Sequence, residues 1–216
     1  MTSTEKTKPE FDLGAFIAVN QRAIYSTAIG IVVVGAAAWF WIASANRRDN
    51  NAEQAYSTAE RSYFSGNPKL AETDLNKVVE RYGGTTAGVR GSMLLAKHYF
   101  EQSKAPDGVS ALRAALGRGA SKPFRSEILG LMGAGFESES KFDSAATAYR
   151  AASSDAATQG ERDQYLASAA RALMSAGDKA GALKLWQGIA ANELSPLAGE
   201  ARLRIGELSA VSAKGT

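Results

Sequence analysis

Side chains that could perform catalysis are scarce in this sequence. The chain has no cysteine, which excludes thiolate nucleophiles, disulfides and cysteine-ligated metals. Its only histidine, His98, has no second histidine to complete a metal site, and we expect it to lie on a helix surface. Residues 130–135, Gly-Leu-Met-Gly-Ala-Gly, match a dinucleotide-binding pattern only in their glycines, because no predicted strand precedes them. We therefore expect a protein that is not an enzyme and uses no cofactor, metal or small-molecule substrate.

One stretch of the sequence is basic. Between Asp107 and Glu127 there are four cationic side chains and no acidic one: Arg113, Arg118, Lys122 and Arg125. A basic turn of this kind could contact lipid headgroups or an acidic partner, and a solvated loop is the alternative. The whole chain has a net charge of +3 and a pI near 9.1. It lacks the concentrated basic stripe of nucleic-acid-binding proteins, so we expect no nucleic-acid partner.

The composition indicates that helices position these residues. Of the 216 residues, 45% are hydrophobic and 22% are charged, which is typical of a globular domain. Alanine, the strongest helix former, is abundant, and there are only 5 prolines. We therefore predict an all-α fold.

An apolar segment near the N-terminus is long enough to cross a membrane. Residues 23–44 contain no charged side chain, and as a helix they would span about 33 Å, against a hydrocarbon core of about 30 Å. Trp39, Phe40 and Trp41 form an aromatic cluster that is typical of a membrane interface. A cleavable signal peptide and a buried core helix are the alternatives, but the apolar stretch is long for the first and uniformly apolar for the second. We predict a transmembrane helix over 23–45.

The flanks of this segment leave its orientation open on charge alone. Three cationic side chains precede it and three follow it closely, so the positive-inside rule does not decide. The short polar tail, residues 1–22, slightly favours a cytoplasmic N-terminus, and its end could form either an interfacial helix or a lead-in turn. Within the span, small residues would let another helix approach closely: Ser26, Gly30 and Gly35.

The remaining sequence, residues 46–216, repeats with a period of thirty-seven residues. Gly66, Ser103, Ser140 and Gly177 mark the four turns. Small residues precede each turn by seven positions and follow it by five, and larger residues follow four positions later, which indicates pairs of closely packed helices. We predict the pairs 50–65 with 68–81, 86–103 with 106–117, 122–139 with 142–154, and 158–176 with 179–190, followed by a capping helix to about 209. Because one pair cannot bury its own apolar face, the pairs should stack into a solenoid.

The first helices of such a solenoid form its concave face. Aromatic and methionine side chains beside charges are typical of an adaptable protein-binding surface. Contact with the preceding repeat is the alternative for each of these residues. By the repeat register, the predicted groove residues are Tyr56, Glu60, Tyr63, Met93, Lys97, Phe100, Glu137 and Arg171.

The repeat pattern resembles the tetratricopeptide repeat, although the consensus unit has 34 residues and its tryptophan and proline are largely missing here. The wider plan is similar to that of the ancillary Sec-translocon subunits of the bacterial inner membrane. The residues that carry this resemblance are 35–41 (GAAAWFW), 82–88 with 94–97, and 177–182 with Trp186.

This resemblance implies a cytoplasmic tail, a single span in the inner membrane and a periplasmic repeat domain near the translocon and periplasmic chaperones. The sequence therefore favours a scaffold that is held in the membrane and binds proteins in or at it. The alternative is a structural accessory subunit of another large membrane complex, such as an energy-transducing assembly.

Overall fold

The computed structural model describes residues 21–213, and in this part of the chain it contains nine helices and no strand. The predicted polar tail therefore lies almost wholly outside the described residues. The chain divides into two units, residues 1–48 and residues 49–216, which are described separately below. The helices are α1 (Gln21–Phe64), α2 (Pro68–Tyr82), α3 (Thr86–Glu101), α4 (Ala105–Gly117), α5 (Lys122–Ser138), α6 (Phe142–Asp155), α7 (Gln159–Ala176), α8 (Lys179–Ala190) and α9 (Ala198–Ala213).

The first unit contains the apolar part of α1. Among the described residues, this is the one helix that is long and apolar enough to cross a membrane, judged by length and composition alone. Its large side chains are exposed, with Trp39, Phe40 and Trp41 between 70% and 77% exposed. No glycine or proline lies between Ala45 and Asn50, and α1 continues to Phe64, so it includes both the predicted span and the predicted first repeat helix, residues 50–65.

The second unit consists of four antiparallel helix pairs whose turns keep the predicted period. All four turn residues have left-handed backbone conformations, with φ of 73° at Gly66, 60° at Ser103, 58° at Ser140 and 90° at Gly177. This conformation ends each first helix and reverses the chain, because the following helix cannot continue the same axis. The period in the sequence is therefore a period in the backbone, and the predicted pairing is confirmed.

In the core of the repeat unit, small residues lie where the two helices of a pair approach each other, and large residues lie where neighbouring repeats meet. Ala59, Ala96 and Ala170 are fully buried within their helix pairs, and Trp186 is fully buried in the last pair. The final helix, α9, packs on α8 and adds Ala201 and Leu208 to the same cluster. It covers the apolar face of the last pair, as expected of a capping helix.

Candidate protein-binding groove

A cavity of about 240 Å³ lies among the first helices of the first three repeats. Side chains from α1, α3 and α5 line it: Tyr56, Arg90, Met93, Leu94, Lys97, Phe124 and Glu127. Its apolar wall is largely buried, since Tyr56 is 7% exposed and Met93 is 6% exposed. The repeat register thus brings predicted groove residues together in one pocket that combines apolar side chains with charges.

Two ion pairs connect successive repeats at this cavity. Arg90 Nη1 donates to Glu53 Oε1 at 2.7 Å, and the Arg90 guanidinium lies 4.2 Å from the centre of the Tyr56 ring. Lys97 Nζ lies 3.9 Å from Glu127 Oε1, and these two side chains are 47% and 49% exposed. An exposed pair at such a distance adds little stability. Lys97 and Glu127 can therefore separate and form ion pairs with groups of a partner at little cost in free energy.

Two tyrosines of the predicted groove are hydrogen-bond donors. The Tyr56 hydroxyl donates to Glu60 Oε1 at 2.8 Å, and burial followed by this bond raises the pKa of Tyr56. The Tyr63 hydroxyl donates to Glu101, and burial followed by this bond raises the pKa of Tyr63 to about 12. Both hydroxyls therefore remain protonated at neutral pH.

Phe100, Met93 and Tyr56 serve mainly to pack the repeats together, which is the alternative that the sequence left open. Met93 and Tyr56 belong to buried clusters. The ring of Phe100 occupies the space that side chains at two glycines would need, because a Cβ at Gly108 would lie 2.4 Å from Phe100 Cε1 and one at Gly135 would lie 2.9 Å from it. Only the small exposed parts of Met93 and Tyr56 reach the cavity.

Glu137 and Arg171 also hold helices together. Glu137 Oε2 accepts a hydrogen bond of 2.7 Å from the Tyr149 hydroxyl, and burial followed by this bond raises the pKa of Tyr149. Arg171 Nη2 donates to Glu200 Oε1 of the capping helix at 2.9 Å, and its guanidinium lies 5.7 Å from the Trp186 ring. Of the predicted groove residues at this cavity, Lys97 is thus the most available to a partner.

Five residues that line or flank the cavity were not predicted from the sequence: Glu53, Arg90, Leu94, Phe124 and Glu127. The signal was present, since Glu53, Arg90 and Glu127 are each thirty-seven residues apart. They occupy one position of the repeat with alternating charge. The opposite charges of Glu53 and Arg90 correspond to an ion pair between the first two repeats, whereas Glu127 pairs with Lys97.

The predicted basic turn is only partly free of acidic partners. Arg125 Nε donates to Asp155 Oδ2 at 3.0 Å. Arg113, Arg118 and Lys122 are exposed, and no ion pair involves them among the residues that the structure describes. In the first unit, a Cβ at Gly30 or at Gly35 would meet nothing within 4 Å, so the predicted small face that they share with Ser26 is open at both glycines.

His98 and the glycines of residues 130–135 lie where helices pack against one another. His98 is 4% exposed and lies beside the Gln102 side chain and the Tyr63 ring, so the prediction of a surface histidine is wrong. Its contact with Tyr63 shows that it faces the first helix of the first repeat. The glycines of residues 130–135 allow aromatic rings to approach α5, since a Cβ at Gly133 would lie 2.6 Å from Tyr149 Cε1 and one at Gly135 would lie 2.9 Å from Phe100 Cε1.

Comparison with known proteins agrees with this architecture. Residues 15–131 match the family described as the tetratricopeptide repeat-like domain. No curated protein matches significantly. Solved structures share the fold at low identity. The tetratricopeptide-like repeats described as kinesin light chain from Podospora anserina have a TM-score of 0.56 and 16% identity, covering 78% of this chain and 97% of that one. PilF of Pseudomonas aeruginosa has a TM-score of 0.57 and 16% identity, covering 77% of this chain and 71% of that one.

Proposed function

Because the chain belongs to the tetratricopeptide repeat-like domain family, we propose that it is a membrane-anchored scaffold whose repeat unit binds other proteins. The observation that carries this proposal is the cavity among α1, α3 and α5. Its half-exposed Lys97 and Glu127 lie beside a largely buried apolar wall. Such a combination suits a partner segment with an apolar side chain next to a charged one.

The anchorage is proposed for the apolar part of α1. In this account its exposed aliphatic and aromatic side chains face lipid, and Trp39, Phe40 and Trp41 lie at one interface. The glycines Gly30 and Gly35 have room for a neighbouring helix. The span would confine the protein to the membrane plane, and the groove would provide a second, linked site. Two linked weak sites can bind more tightly than either alone by a factor on the order of 10²–10⁴.

The proposed location is the bacterial inner membrane, with a cytoplasmic N-terminus and the repeat unit in the periplasm. This orientation is supported by the resemblance to ancillary Sec-translocon subunits. In that setting the partners are the translocon and periplasmic chaperones. External protease added to spheroplasts should digest the repeat unit, whereas full protection until lysis would reverse the orientation.

Proximity crosslinking in intact membranes, followed by identification of the captured proteins, tests the function. Translocon subunits or periplasmic chaperones are the expected products. A single fixed set of other subunits, recovered in constant stoichiometry after mild detergent extraction, would instead indicate an accessory subunit of another complex. Recovery of no protein partner would contradict the scaffold role altogether.

A further inference from the structure

Three exposed cations surround the turn between α4 and α5. Arg113 lies in the last turns of α4, Arg118 follows that helix, and Lys122 is the first residue of α5. The fourth residue of the predicted basic turn, Arg125, is neutralised by Asp155. The remaining three have no acidic partner among the described residues, so their charge is available to an external anion.

A further arginine extends this group across the neighbouring repeat. Arg81 and Arg118 are thirty-seven residues apart and occupy the same position near the end of the second helix of their repeats. The guanidinium of Arg118 lies against Gly83, where an added Cβ would be 2.8 Å from Arg118 Nη1. Arg81 is exposed like Arg118, so two neighbouring repeats each present an arginine at the same end of the repeat unit.

The position of Lys122 is not explained by helix stability. The N-terminus of a helix carries partial positive charge and favours acidic side chains. In α5 the first turn contains no acidic residue, and the Ser121 side chain makes no capping hydrogen bond. Lys122 therefore lies where it is electrostatically unfavourable for α5, and an anion outside the repeat unit would offset this repulsion.

These cations lie at the end of the repeat unit where the chain enters it. Asn51 lines the same cavity as Arg81 and Tyr82, which places the start of the unit beside the turn between α2 and α3. Because the helix pairs are antiparallel, the turn that carries Leu194 is also at this end, and Leu194 is 94% exposed. The apolar segment ends at Ser44, five residues before Asp49, where the repeat unit begins.

We propose that this basic end, defined by Arg81, Arg113, Arg118 and Lys122, docks on anionic lipid headgroups of the bilayer that holds the apolar helix. The inference rests on the membrane anchorage of the proposed function. The chain enters the repeat unit at this end, and the exposed Leu194 can enter the interfacial layer. Docking of this end leaves the opposite end, with the turns at Ser103 and Ser140, turned away from the lipid.

The full-length chain in proteoliposomes provides the test, and its lack of cysteine makes single-site labelling straightforward. A fluorophore on S121C reports on the basic end, because Ser121 is exposed and makes no side-chain cap bond. A fluorophore on S144C, at the start of α6, reports on the opposite end. Quenching by lipids with a nitroxide on the headgroup is measured in neutral bilayers and in bilayers that contain phosphatidylglycerol. We expect anionic lipid to increase quenching at S121C but not at S144C, and high salt to reverse the increase.

Charge-neutral variants separate docking from mere proximity. The triple variant R81Q/R118Q/K122Q should lower the ratio of docked to undocked protein about fivefold for each residue replaced. The matched control K69Q/K179Q/K184Q removes the same charge from exposed positions elsewhere and should leave quenching unchanged.

Equal quenching in neutral and anionic bilayers, or equal loss in both triple variants, overturns the proposal. Quenching that requires an added acidic membrane protein also overturns it, in favour of a protein partner. Alkaline carbonate extraction tests the anchorage separately, because a chain that it removes from the bilayer contradicts both the anchorage and the docking.

Discussion

Ser103 and Ser140 lie thirty-seven residues apart and share a left-handed backbone conformation, with φ of 60° and 58°. Glycine occupies the equivalent turns at Gly66 and Gly177. A side chain in this conformation brings its Cβ close to the following carbonyl oxygen, which costs energy that glycine avoids. Two of the four turns are therefore strained, and two are not.

Replacing the strained serines by glycine should stabilise the repeat unit. We expect S103G and S140G each to raise the free energy of unfolding by about 0.5–1 kcal/mol, because relief of strain exceeds the added flexibility of the unfolded chain. Thermal and urea denaturation of residues 49–216 measures the change. The control S110G lies inside α4, where glycine should destabilise the helix instead. A loss of stability in both turn variants would mean that the serine side chains stabilise these turns.

Close packing in the third repeat should make Gly133 intolerant of a methyl group. A Cβ at this position would lie 2.6 Å from Tyr149 Cε1, and displacing that buried ring should cost about 1–3 kcal/mol in G133A. Gly188 in α8 provides the matched control, since a Cβ there would meet nothing within 4 Å. G188A should instead gain about 0.5–1 kcal/mol from helix propensity. Calorimetric melting temperatures that shift in the same direction for both variants would contradict the packing.

The positions that recur in the repeat could be predicted from the sequence because their spacing reflects backbone geometry. The turns at Gly66 and Gly177 and the small residue Ala96 follow from a period that any stacked helix pair requires. The burial of His98 could not be predicted, because a histidine can occupy either side of a helix and nothing in the repeat marks which side. Similarly, the length of Phe100 suits both a groove and a packing role, and only its contact with Gly108 and Gly135 distinguishes them.

The acid stability of the first repeat should depend on Asp74. Its carboxylate accepts a hydrogen bond of 2.8 Å from Ser62 Oγ and lies 3.1 Å from Lys77 Nζ. The bond from Ser62, followed by that from Lys77, lowers the pKa of Asp74 below its ordinary value of 3.8. Because the pKa of Asp74 is lower in the folded state than in the unfolded state, ionised Asp74 stabilises the fold at pH values above its unfolded-state pKa. This stabilisation is lost as the pH falls through the lower pKa of the folded state.

We therefore expect S62A to reduce the free energy of unfolding near neutral pH and to have less effect in acid, where Asp74 is protonated. Urea denaturation as a function of pH measures this dependence. Ser57 is exposed on α1, and S57A should leave the pH dependence unchanged. A pH profile of S62A that runs parallel to that of the unmodified protein would show that Ser62 does not control the Asp74 pKa.

Charge reversal at the groove should weaken binding without unfolding the repeat unit. Lys97 is half-exposed and its pair with Glu127 is long, so K97E should leave helicity intact. Repulsion from the partner's acidic group should reduce capture roughly tenfold. Crosslinking yield in membranes measures capture, with circular dichroism as the folding control. The variant K184E, on the second helix of the last repeat, should capture partners as the unmodified protein does.

We propose above that a membrane-held solenoid binds proteins through its concave face. A photo-crosslinkable amino acid placed at Lys97 and, separately, at Lys184 tests it in intact membranes of living cells. We expect discrete crosslinked products from position 97 and none from position 184, with the products recovered in the membrane fraction. Absence of products at position 97, or equal products from both positions, would contradict it.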